Sequence, residues 1–406
     1  MKIKKCRSCS SSLLKNAFDL GSQKLTGVFP KTLNENIPSG SLAMVFCEKC
    51  KLLQLENSFN ASMMYGDNYG YMSSLNPHMI NHLKLKAKKL NSFMNLTKDD
   101  VVIDIGSNDG TFLNFFSSRL KLIGIDPTIK KLKKFYRKDI IKIPTFFTID
   151  VIKKILKKRA KVISSISMFY DLEDPIRFAE DIYETLDDNG IWHFEQSYMP
   201  MMIKNNSYDT ICHEHLEYYS LTSIKFILDK VGFKIIDLEF NDINGGSFAL
   251  TVSKKSSKLK VNSPLIDWLL KKEKLFNYNS LEIFQDFYKN AKKHKKSFKD
   301  LLLNLHDMKK KVVGYGASTK GNVILQFCNI TKKLLPYIAE VNEFKHYRYT
   351  PGTKIQIIPE KSARLKNPDY FIVLPWHFKN FIIKKEKNFL LNNKNLIFPL
   401  PDIEIV

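Results

Sequence analysis

The clearest hydrophobic pattern in the chain is the run VVIDI at residues 101–105, where four apolar β-formers surround one aspartate. An apolar run of this length, bounded by turn residues, is typical of a strand buried on both faces of a parallel sheet. In the loop that follows, Gly106 and Gly110 let the backbone turn sharply and approach a ligand where a Cβ would clash. The pattern predicts the first strand–loop–helix unit of a nucleotide-binding sheet, with the ligand at the carboxyl end of the strand.

Further apolar runs alternate with helical patterns along the chain. They predict strands near residues 121–125, 161–166, 190–195, 232–239 and 247–253. Such alternation indicates a doubly wound sheet. A second unit begins at KVVGYGASTKGNVIL (311–325) and continues with apolar runs at 334–340 and 370–376. Two α/β units are therefore expected, joined by a lysine-rich helical spacer with solvated charged faces.

The polar residues of the first loop indicate its ligand. A dinucleotide fingerprint would need a third glycine, whereas here Asp104 and Asp109 flank the glycines. Carboxylates repel phosphate and suit a cationic ligand, and Asp126, 20 residues after Gly106, is placed to accept the hydroxyls of a ribose. The combination resembles class I methyltransferases that use S-adenosylmethionine (SAM). A Rossmann unit that binds NAD or no ligand is the alternative.

More cofactor contacts are expected at the same sheet edge, where the carboxyl ends of parallel strands meet. Ser167 and Met168 follow the strand at 161–166 and are expected near the sulfonium and the adenosine. The predicted cofactor site consists of Asp104, Gly106, Asn108, Gly110, Asp126, Ser167 and Met168.

The charge of the chain bears on its partners. Its 64 basic and 41 acidic residues give a formal charge of +23, which invites a phosphate-bearing partner. The lysines are spread along the whole chain without a basic repeat, so no nucleic-acid partner is expected. No run of about 18 apolar residues occurs, and the N-terminus MKIKKCRSCS has no hydrophobic signal core. A cytoplasmic protein without a membrane partner is expected, and the oligomeric state stays open.

Four of the six cysteines form two C-x-x-C pairs, Cys6 with Cys9 and Cys47 with Cys50. Two such pairs supply the four thiolates of tetrahedral zinc, which favours a structural zinc site over free thiols. The 37 residues between the pairs exceed the usual gap of a zinc ribbon and predict an inserted loop. A site with four sulfur ligands leaves no open position for catalysis.

The stretch SYDTICHEHLEYYS at 207–220 concentrates ionisable side chains. On an extended segment His213 and His215 would face one way and Glu214 the other, whereas on a helix His213 and Glu217 would pair. A metal site, a general-base site and a satisfied polar loop are the three interpretations. The metal site lacks a clear third ligand, so the general base and the polar loop both stay open.

Two loops add candidate ligand contacts. Tyr65, Tyr69 and Tyr71 lie in a glycine-broken loop before the core and form either a lid over the ligand or a surface connector. After the strand near 311–315, backbone N–H groups, hydroxyls and Lys320 indicate a phosphate cradle. It is not a P-loop, because this lysine precedes a glycine rather than Ser or Thr.

Together the motifs resemble the SAM-dependent C-methyltransferases that act on nucleotide-linked keto-deoxysugars. The resemblance rests on the four-cysteine domain and on YGYMSS (69–74), DIGSNDG (104–110), CHEHLEYYS (212–220) and GYGASTKGN (314–322), in that order. It implies that His215 is the base at the sugar carbon, with Glu214 beside it and Tyr69 or Tyr71 near the reacting centre. It also implies SAM and structural zinc as cofactors. The implied substrate contacts are Tyr208, His213, Ser318, Thr319, Lys320 and Asn322.

The predicted fold class is α/β: a class I, Rossmann-like methyltransferase core with an N-terminal four-cysteine zinc domain and a smaller C-terminal α/β domain. The predicted divisions are 1–60 (zinc domain), 61–255 (methyltransferase domain with helical lead-in), 256–310 (helical spacer) and 311–406 (C-terminal domain). Two other functions stay open on the residues alone. One is O- or N-methyl transfer to a related nucleotide sugar or polysaccharide precursor, and the other is nucleic-acid binding by a zinc-containing protein.

Overall fold

A computed structural model describes residues 2–59 and 71–406 of the chain. In this part of the chain the strands are β1 (Leu14–Lys24), β2 (Ser39–Cys47), β3 (Leu53–Leu55), β4 (Val101–Ile105), β5 (Lys121–Ile125), β6 (Ile141–Ile143), β7 (Ala160–Ile166), β8 (Leu186–Ser197), β9 (Glu217–Tyr218), β10 (Phe233–Asn241), β11 (Ser247–Lys254), β12 (Val312–Tyr315), β13 (Tyr337–Glu340), β14 (Gln356–Pro359), β15 (Tyr370–Val373), β16 (Asn395–Phe398) and β17 (Glu404–Ile405).

The α-helices of the same part are α1 (Pro77–Met94), α2 (Ile129–Leu132), α3 (Ile149–Lys153), α4 (Pro175–Thr185), α5 (Met199–Lys204), α6 (Leu221–Val231), α7 (Ser263–Leu275), α8 (Leu281–Asp307), α9 (Thr319–Phe327), α10 (Glu360–Leu365), α11 (Lys379–Lys385) and α12 (Lys387–Leu391). None of the described helices combines the length and the apolar character needed to cross a bilayer.

The central sheet has seven strands in the order β10-β11-β8-β7-β4-β5-β6. Strands β4 to β8 run parallel, and β11 lies antiparallel to both of its neighbours. Numbered within this sheet, the order is 3-2-1-4-5-7-6. The hydrophobic pattern predicted six of these strands but not β6, because three residues are too few to show a hydrophobic period.

The first strand of this sheet lies in its interior. All five residues of β4 are buried, and the strand pairs with β5 on one side and β7 on the other. The loop after it turns back through Gly110, which has a φ of +77°. This loop and the ends of β5 and β7 therefore lie together at the carboxyl edge of the sheet.

The N-terminal sheet is antiparallel and has the order β1-β2-β3-β9. The long β1–β2 hairpin accounts for most of the sequence between the two cysteine pairs. Its fourth strand, β9, comes from the stretch at 207–220 and pairs with β3 through Leu53 with Tyr218 and Gln54 with Glu217. The stretch at 207–220 is thus held by the sheet that carries the cysteines.

The C-terminal sheet has the order β14-β13-β12-β15-β16-β17, in which the first five strands are parallel. The predicted small α/β domain is present. The segment predicted as a spacer is helical, and the apolar face of α8 packs against the N-terminal sheet, with ring centroids of Phe18 and Phe287 5.5 Å apart. One continuous apolar core therefore joins the N-terminal sheet to the C-terminal domain.

The φ of Gly110 and its neighbour Tyr136 give a test of this loop. A Cβ on Gly110 would lie 2.6 Å from Tyr136 Cδ1, whereas a Cβ on Gly21, at a φ of +86°, would meet nothing within 4 Å. Gly21→Ala should cost roughly 1 to 2 kcal/mol from the left-handed backbone alone. Gly110→Ala should add about 1 to 3 kcal/mol of overpacking and lower the thermal midpoint further. Equal midpoints of the two variants in scanning calorimetry would contradict this packing.

Candidate functional site

A cavity of about 400 Å³ opens at the carboxyl edge of the central sheet. Its volume is within the range of small-ligand sites. Both polar and apolar residues line it. Tyr71, Asp104, Gly106, Asn108, Asp126, Ser167 and Met168 are among the lining residues.

Asp126 is held rigidly at the end of β5. Its Oδ1 accepts hydrogen bonds from the backbone N–H and the hydroxyl of Thr128 (2.7 and 2.6 Å), and its Oδ2 accepts one from the backbone N–H of Asn108 (2.9 Å). These bonds fix the carboxylate in the cavity wall and leave lone pairs for a ligand. The arrangement fits the expected recognition of ribose hydroxyls.

Asp104 supplies a second carboxylate to the cavity. Burial raises the pKa of Asp104 to about 7, against the effect of a 2.7 Å hydrogen bond from the Ser164 hydroxyl, and the nearby charge of Asp126 raises it further. A cationic ligand would stabilise the ionised form of both carboxylates. The two carboxylates of this wall therefore fit SAM, which carries an amine and a sulfonium, better than they fit a phosphate.

The two glycines of the loop have different neighbours. A Cβ on Gly106 would lie 2.9 Å from Met168 Cγ, and both residues line the cavity. Gly110 is not part of the lining, and the space that its Cβ would need is held by the Tyr136 ring. Gly110 is required for the turn and for packing, and its predicted contact with the ligand stays a prediction.

The segment at 71–74, which leads into α1, is hydrogen-bonded to the same loop. The backbone N–H of Ser73 donates to Asn108 Oδ1 (3.0 Å), and the backbone N–H of Ser74 donates to Asp109 Oδ2 (2.8 Å). Asn108 in turn donates to the carbonyl oxygen of Tyr71 (3.2 Å), which lines the cavity. Tyr71 therefore lies where the lid interpretation needs it.

Two further lead-in tyrosines were proposed for the lid. Tyr65 and Tyr69 lie outside the described residues. The assignment of Tyr69 to the reacting centre stays a prediction.

The four cysteines of the two C-x-x-C pairs meet at one point, with all four Sγ atoms within 4.8 Å of one another. Cys6 and Cys50 are 3.5 Å apart and Cys9 and Cys47 are 3.4 Å apart, close to the edge of about 3.8 Å in a tetrahedron with zinc–sulfur bonds of about 2.3 Å. Gln54 Nε2 donates to Cys6 Sγ (3.1 Å), as outer groups commonly do for a metal-bound thiolate. The residues fit a structural zinc ion.

The stretch at 207–220 is neither an extended strand nor a helix where its histidines lie. The backbone N–H of His215 donates to the Cys212 carbonyl oxygen (3.2 Å), which closes a turn over His213 and Glu214. The two histidines therefore contact different neighbours. Neither the extended nor the helical arrangement considered for this stretch applies, because a turn occupies 213–214.

His215 is the one residue of 207–220 that is not buried. Its Nδ1 lies 2.8 Å from the Thr210 carbonyl oxygen, and its ring centroid is 4.3 Å from that of Tyr170. A carbonyl oxygen only accepts, so Nδ1 carries the proton and Nε2 keeps its lone pair. Burial, and then the positive charge of Lys320, lower the pKa of His215 to about 3, so the ring is neutral at physiological pH.

Glu214 is buried against the N-terminal domain. Its Oε2 accepts from the Thr26 hydroxyl (3.4 Å), and burial raises its pKa. A Cβ on Gly27 would overlap Glu214 Oε1 and lie 3.7 Å from Thr319 Oγ1, so this glycine lies between the two side chains. Glu214 is therefore next to the C-terminal domain as well as to His215.

Two predicted substrate contacts lie elsewhere in the structure. Tyr208 is fully buried, with its hydroxyl 2.9 Å from His294 Nδ1 and 3.3 Å from Cys328 Sγ. His213 is fully buried too, with Nε2 3.2 Å from the Gly40 carbonyl oxygen and its ring edge-on to Phe59. Both side chains have partners inside the protein, and the assignment of these two residues to substrate binding stays a prediction.

The predicted phosphate cradle is not supported by the packing of its loop. Ser318 Oγ accepts from the Gly321 N–H (2.9 Å) and caps α9, and the Ala317 N–H donates to Glu340 Oε2 (2.8 Å). A Cβ on Gly316 would lie 2.8 Å from Pro375. The N–H groups of Gly316, Ala317 and Gly321 are therefore already used inside the protein, and the phosphate contact stays a prediction.

The remaining residues of that loop turn toward the other domains. Asn322 Nδ2 donates to the Thr26 carbonyl oxygen (2.7 Å), and Thr319 lies beside Gly27. Lys320 Nζ donates to the Asn244 carbonyl oxygen (2.7 Å), and Asn244 Nδ2 donates to Ser167 Oγ (3.3 Å). Lys320 is thus two hydrogen bonds from the cavity wall and points away from the predicted cradle.

Sequence analysis missed a polar face on α1. His82 Nε2 lies 2.7 Å from Glu195 Oε1, and Lys86 Nζ lies 2.9 Å from Glu195 Oε2. Glu195 is fully buried at the end of β8 and also accepts from Asn241 Nδ2 (2.9 Å). The spacing of four residues from His78 to His82 to Lys86 was the available signal, since such residues share one face of a helix.

A second missed residue is His377, in the turn after β15. Its Nδ1 is buried and has no hydrogen-bond partner among the described residues. Burial, and then the positive charges of Lys320 and His78, lower the pKa of His377 well below its usual value. The neighbouring Trp376 donates to Asp209 Oδ2 (2.8 Å), which holds this turn against the stretch at 207–220. No periodic pattern in the sequence pointed to His377.

Comparison with known proteins divides the chain into three matched regions. A zinc-binding domain model matches residues 6–65, a methyltransferase domain model matches 79–238, and a C-methyltransferase C-terminal domain model matches 242–401. The C-methyltransferase NovU of Streptomyces niveus is 26% identical over 412 residues, which cover 100% of this chain and 97% of that protein.

Two other proteins match less than half of the chain. The tRNA U34 carboxymethyltransferase of Campylobacter jejuni is 27% identical over 162 residues, 37% of this chain and 55% of that protein. The structure of the plantazolicin methyltransferase BpumL with SAH covers 43% of this chain and 85% of its own, at 16% identity and a TM-score of 0.34, which is too low to carry an argument. The family and domain matches confirm the resemblance, the predicted fold class, and SAM and zinc as cofactors.

The cysteine cluster gives a prediction about metal content. Purified protein should hold one zinc ion per chain, and Cys50→Ser should lose it and lower the thermal midpoint, because binding energy at a structural zinc site is folding energy. Cys328→Ser is the matched control, since its thiol is buried against Tyr208 far from the cluster in sequence. Elemental analysis that finds no stoichiometric zinc in the unmodified protein would reject the site.

The geometry of Asp126 gives a prediction about SAM binding. Asp126→Ala should weaken SAM binding by about 1.5 to 3 kcal/mol, the scale of charge-assisted hydrogen bonds lost from a buried site. Asp139→Ala in the same domain removes a carboxylate paired with Arg137 at the surface and should leave the affinity unchanged. Titration calorimetry measures both, and equal affinities would remove Asp126 from the ribose position.

Proposed function

Since this chain is a SAM-dependent methyltransferase, we propose that it methylates a carbon atom of a nucleotide-linked keto-deoxysugar, with His215 as the general base. The substrate class rests on the resemblance of the motifs in their order along the chain. The full-length match to a C-methyltransferase supports transfer to carbon. The base rests on the geometry of the stretch at 207–220.

The observation that carries the proposal is the state of His215. It alone within 207–220 keeps part of its surface exposed, and the hydrogen bond to the Thr210 carbonyl oxygen leaves its Nε2 free to accept a proton. A carbon next to a ketone needs such a base, because its proton leaves only when a group within hydrogen-bond reach takes it.

Surrounding residues fix the position of this base. The Thr210 carbonyl oxygen sets the tautomer and the Tyr170 ring packs against the imidazole. Bound SAM would supply an electrophilic methyl group, which Asp104 and Asp126 would hold at the carboxyl edge of the sheet. Positioning of the two reactants in one site accounts for a large share of the rate in such reactions.

Tyr71 and Glu214 have supporting roles in this proposal. Tyr71 lines the cavity and would cover the ligand from the lead-in side. Glu214 is buried, which raises its pKa, and its Oε2 accepts a hydrogen bond from the Thr26 hydroxyl beside the base. The nucleotide part of the substrate would contact the C-terminal domain.

Carbon-bound hydrogen exchange tests the proposal directly. A nucleoside-diphosphate-linked 4-keto-6-deoxyhexose, incubated in D₂O with protein and SAH, the demethylated product of SAM, should gain deuterium next to the ketone although methyl transfer is impossible. His215→Asn keeps a donor to the Thr210 carbonyl oxygen but offers no base. It should lose exchange and turnover by roughly 10²- to 10⁴-fold while SAM still binds.

The pH dependence follows from the same side chain. Because the pKa of His215 is lowered to about 3, the base form is populated throughout pH 5 to 8, and loss of that form occurs only as the pH falls toward 3. Exchange in the unmodified protein should therefore show no acid limb from His215 between pH 8 and pH 5. An O-methylated product by mass fragmentation, without any deuterium on carbon, would overturn the proposal.

A further inference from the structure

Lys320 reaches the methyltransferase side of the molecule from the C-terminal domain. Its Nζ donates to the Asn244 carbonyl oxygen, and Asn244 contacts Ser167 in the cavity wall. An ammonium group carries three donors, and within residues 2–59 and 71–406 this bond is the one that Lys320 makes. It therefore has two donors left for a ligand beside Asn244.

Three elements fix the lysine there. Helix α9, in which Lys320 is the second residue, packs against the turn at 208–210 just before His215. A Cβ on Gly245 would lie 2.9 Å from the Trp376 ring, so the loop with Asn244 packs against the turn at 376–378. The lysine thus lies among the loop before His215, the hairpin of Asn244 and the turn of His377.

The ionisable side chains near Lys320 differ in charge. Lys320 lowers the pKa of His215 and of His377, and its own pKa is lowered by burial and raised by Asp209. Both histidines are neutral at physiological pH, whereas Lys320 is close enough for its positive charge to lower the pKa of His215. A buried cation stabilises a developing negative charge more strongly than a hydrated one.

We propose that Lys320 is a catalytic residue whose ammonium group binds the ketone oxygen of the substrate and stabilises the enolate. This proposal rests on the proposed function, since an enolate forms only in transfer to carbon. It replaces the phosphate contact expected from sequence. The buried, unpartnered Nδ1 of His377 beside the lysine offers a second polar contact to the same end of the substrate.

The step balances without a further reagent. His215 Nε2 takes the proton from the carbon next to the ketone, the C–H pair forms the C=C bond, and the carbonyl π pair moves to the oxygen held by Lys320. That pair then returns to re-form the ketone as the carbon accepts the methyl group, while the C–S pair stays on sulfur. The proton on His215 passes to solvent.

The test replaces Lys320 and compares the variant with a matched replacement of Lys345. Lys345 is also partly buried in the C-terminal domain, and its Nζ donates to the Ala317 carbonyl oxygen at 2.7 Å, the same distance as for Lys320. Lys320→Met should lower both kcat and the rate of carbon-bound deuterium exchange with SAH by about 10²- to 10³-fold, the scale of losing one oxyanion donor. Its KM for the keto sugar and its SAM affinity should change little, and Lys345→Met should keep the exchange rate.

The outcomes separate this inference from the proposed function. Absence of exchange in the unmodified protein would refute the proposed function itself. Normal exchange in the unmodified protein together with normal exchange and a raised KM in Lys320→Met would overturn the inference and restore the phosphate contact. Weaker SAM binding or a lower thermal midpoint in Lys320→Met would show that the lysine has a structural role. Either result would also overturn the inference.

Discussion

Two backbone pairs, Leu53 with Tyr218 and Gln54 with Glu217, join β9 to the sheet that carries the cysteines. The segment just before β9 contains His215, and almost every residue around it is buried, so its backbone groups must find partners within the protein. Gln54 also donates to Cys6 Sγ. The zinc cluster thus supports the strand that positions the proposed base, which gives a structural metal a reason to be in an enzyme whose chemistry does not use it.

The candidate site depends on charges placed out of water. Asp104 and Asp126 face the cavity from the central sheet, while Lys320 approaches from the C-terminal domain. Carboxylates on one side suit a cationic cofactor, and a cation on the other suits a substrate that becomes negative. Between them His215 is kept neutral by burial and by Lys320. The low dielectric of the interior strengthens each of these effects.

The two α/β units have a similar loop after their first strand, but the two loops have different surroundings. In the core, Asp126 at the end of β5 accepts from the Asn108 N–H and a cavity lies beside the loop. In the C-terminal unit, Glu340 at the end of β13 accepts from the Ala317 N–H in the same way, yet Pro375 fills the space beside that loop. The second loop is thereby free to present Lys320 to the first domain.

The sequence by itself determined the local elements and the residue types of the site. Unbroken apolar runs predicted the core strands, and two C-x-x-C pairs predicted the zinc cluster, because both signals lie within short windows. Only the tertiary structure decided which polar side chains face the cavity. Tyr208 and His213 became internal, and Lys320 turned toward Asn244, because their partners come from segments more than 30 residues away. Such contacts depend on the packing of whole domains, and no local period records them.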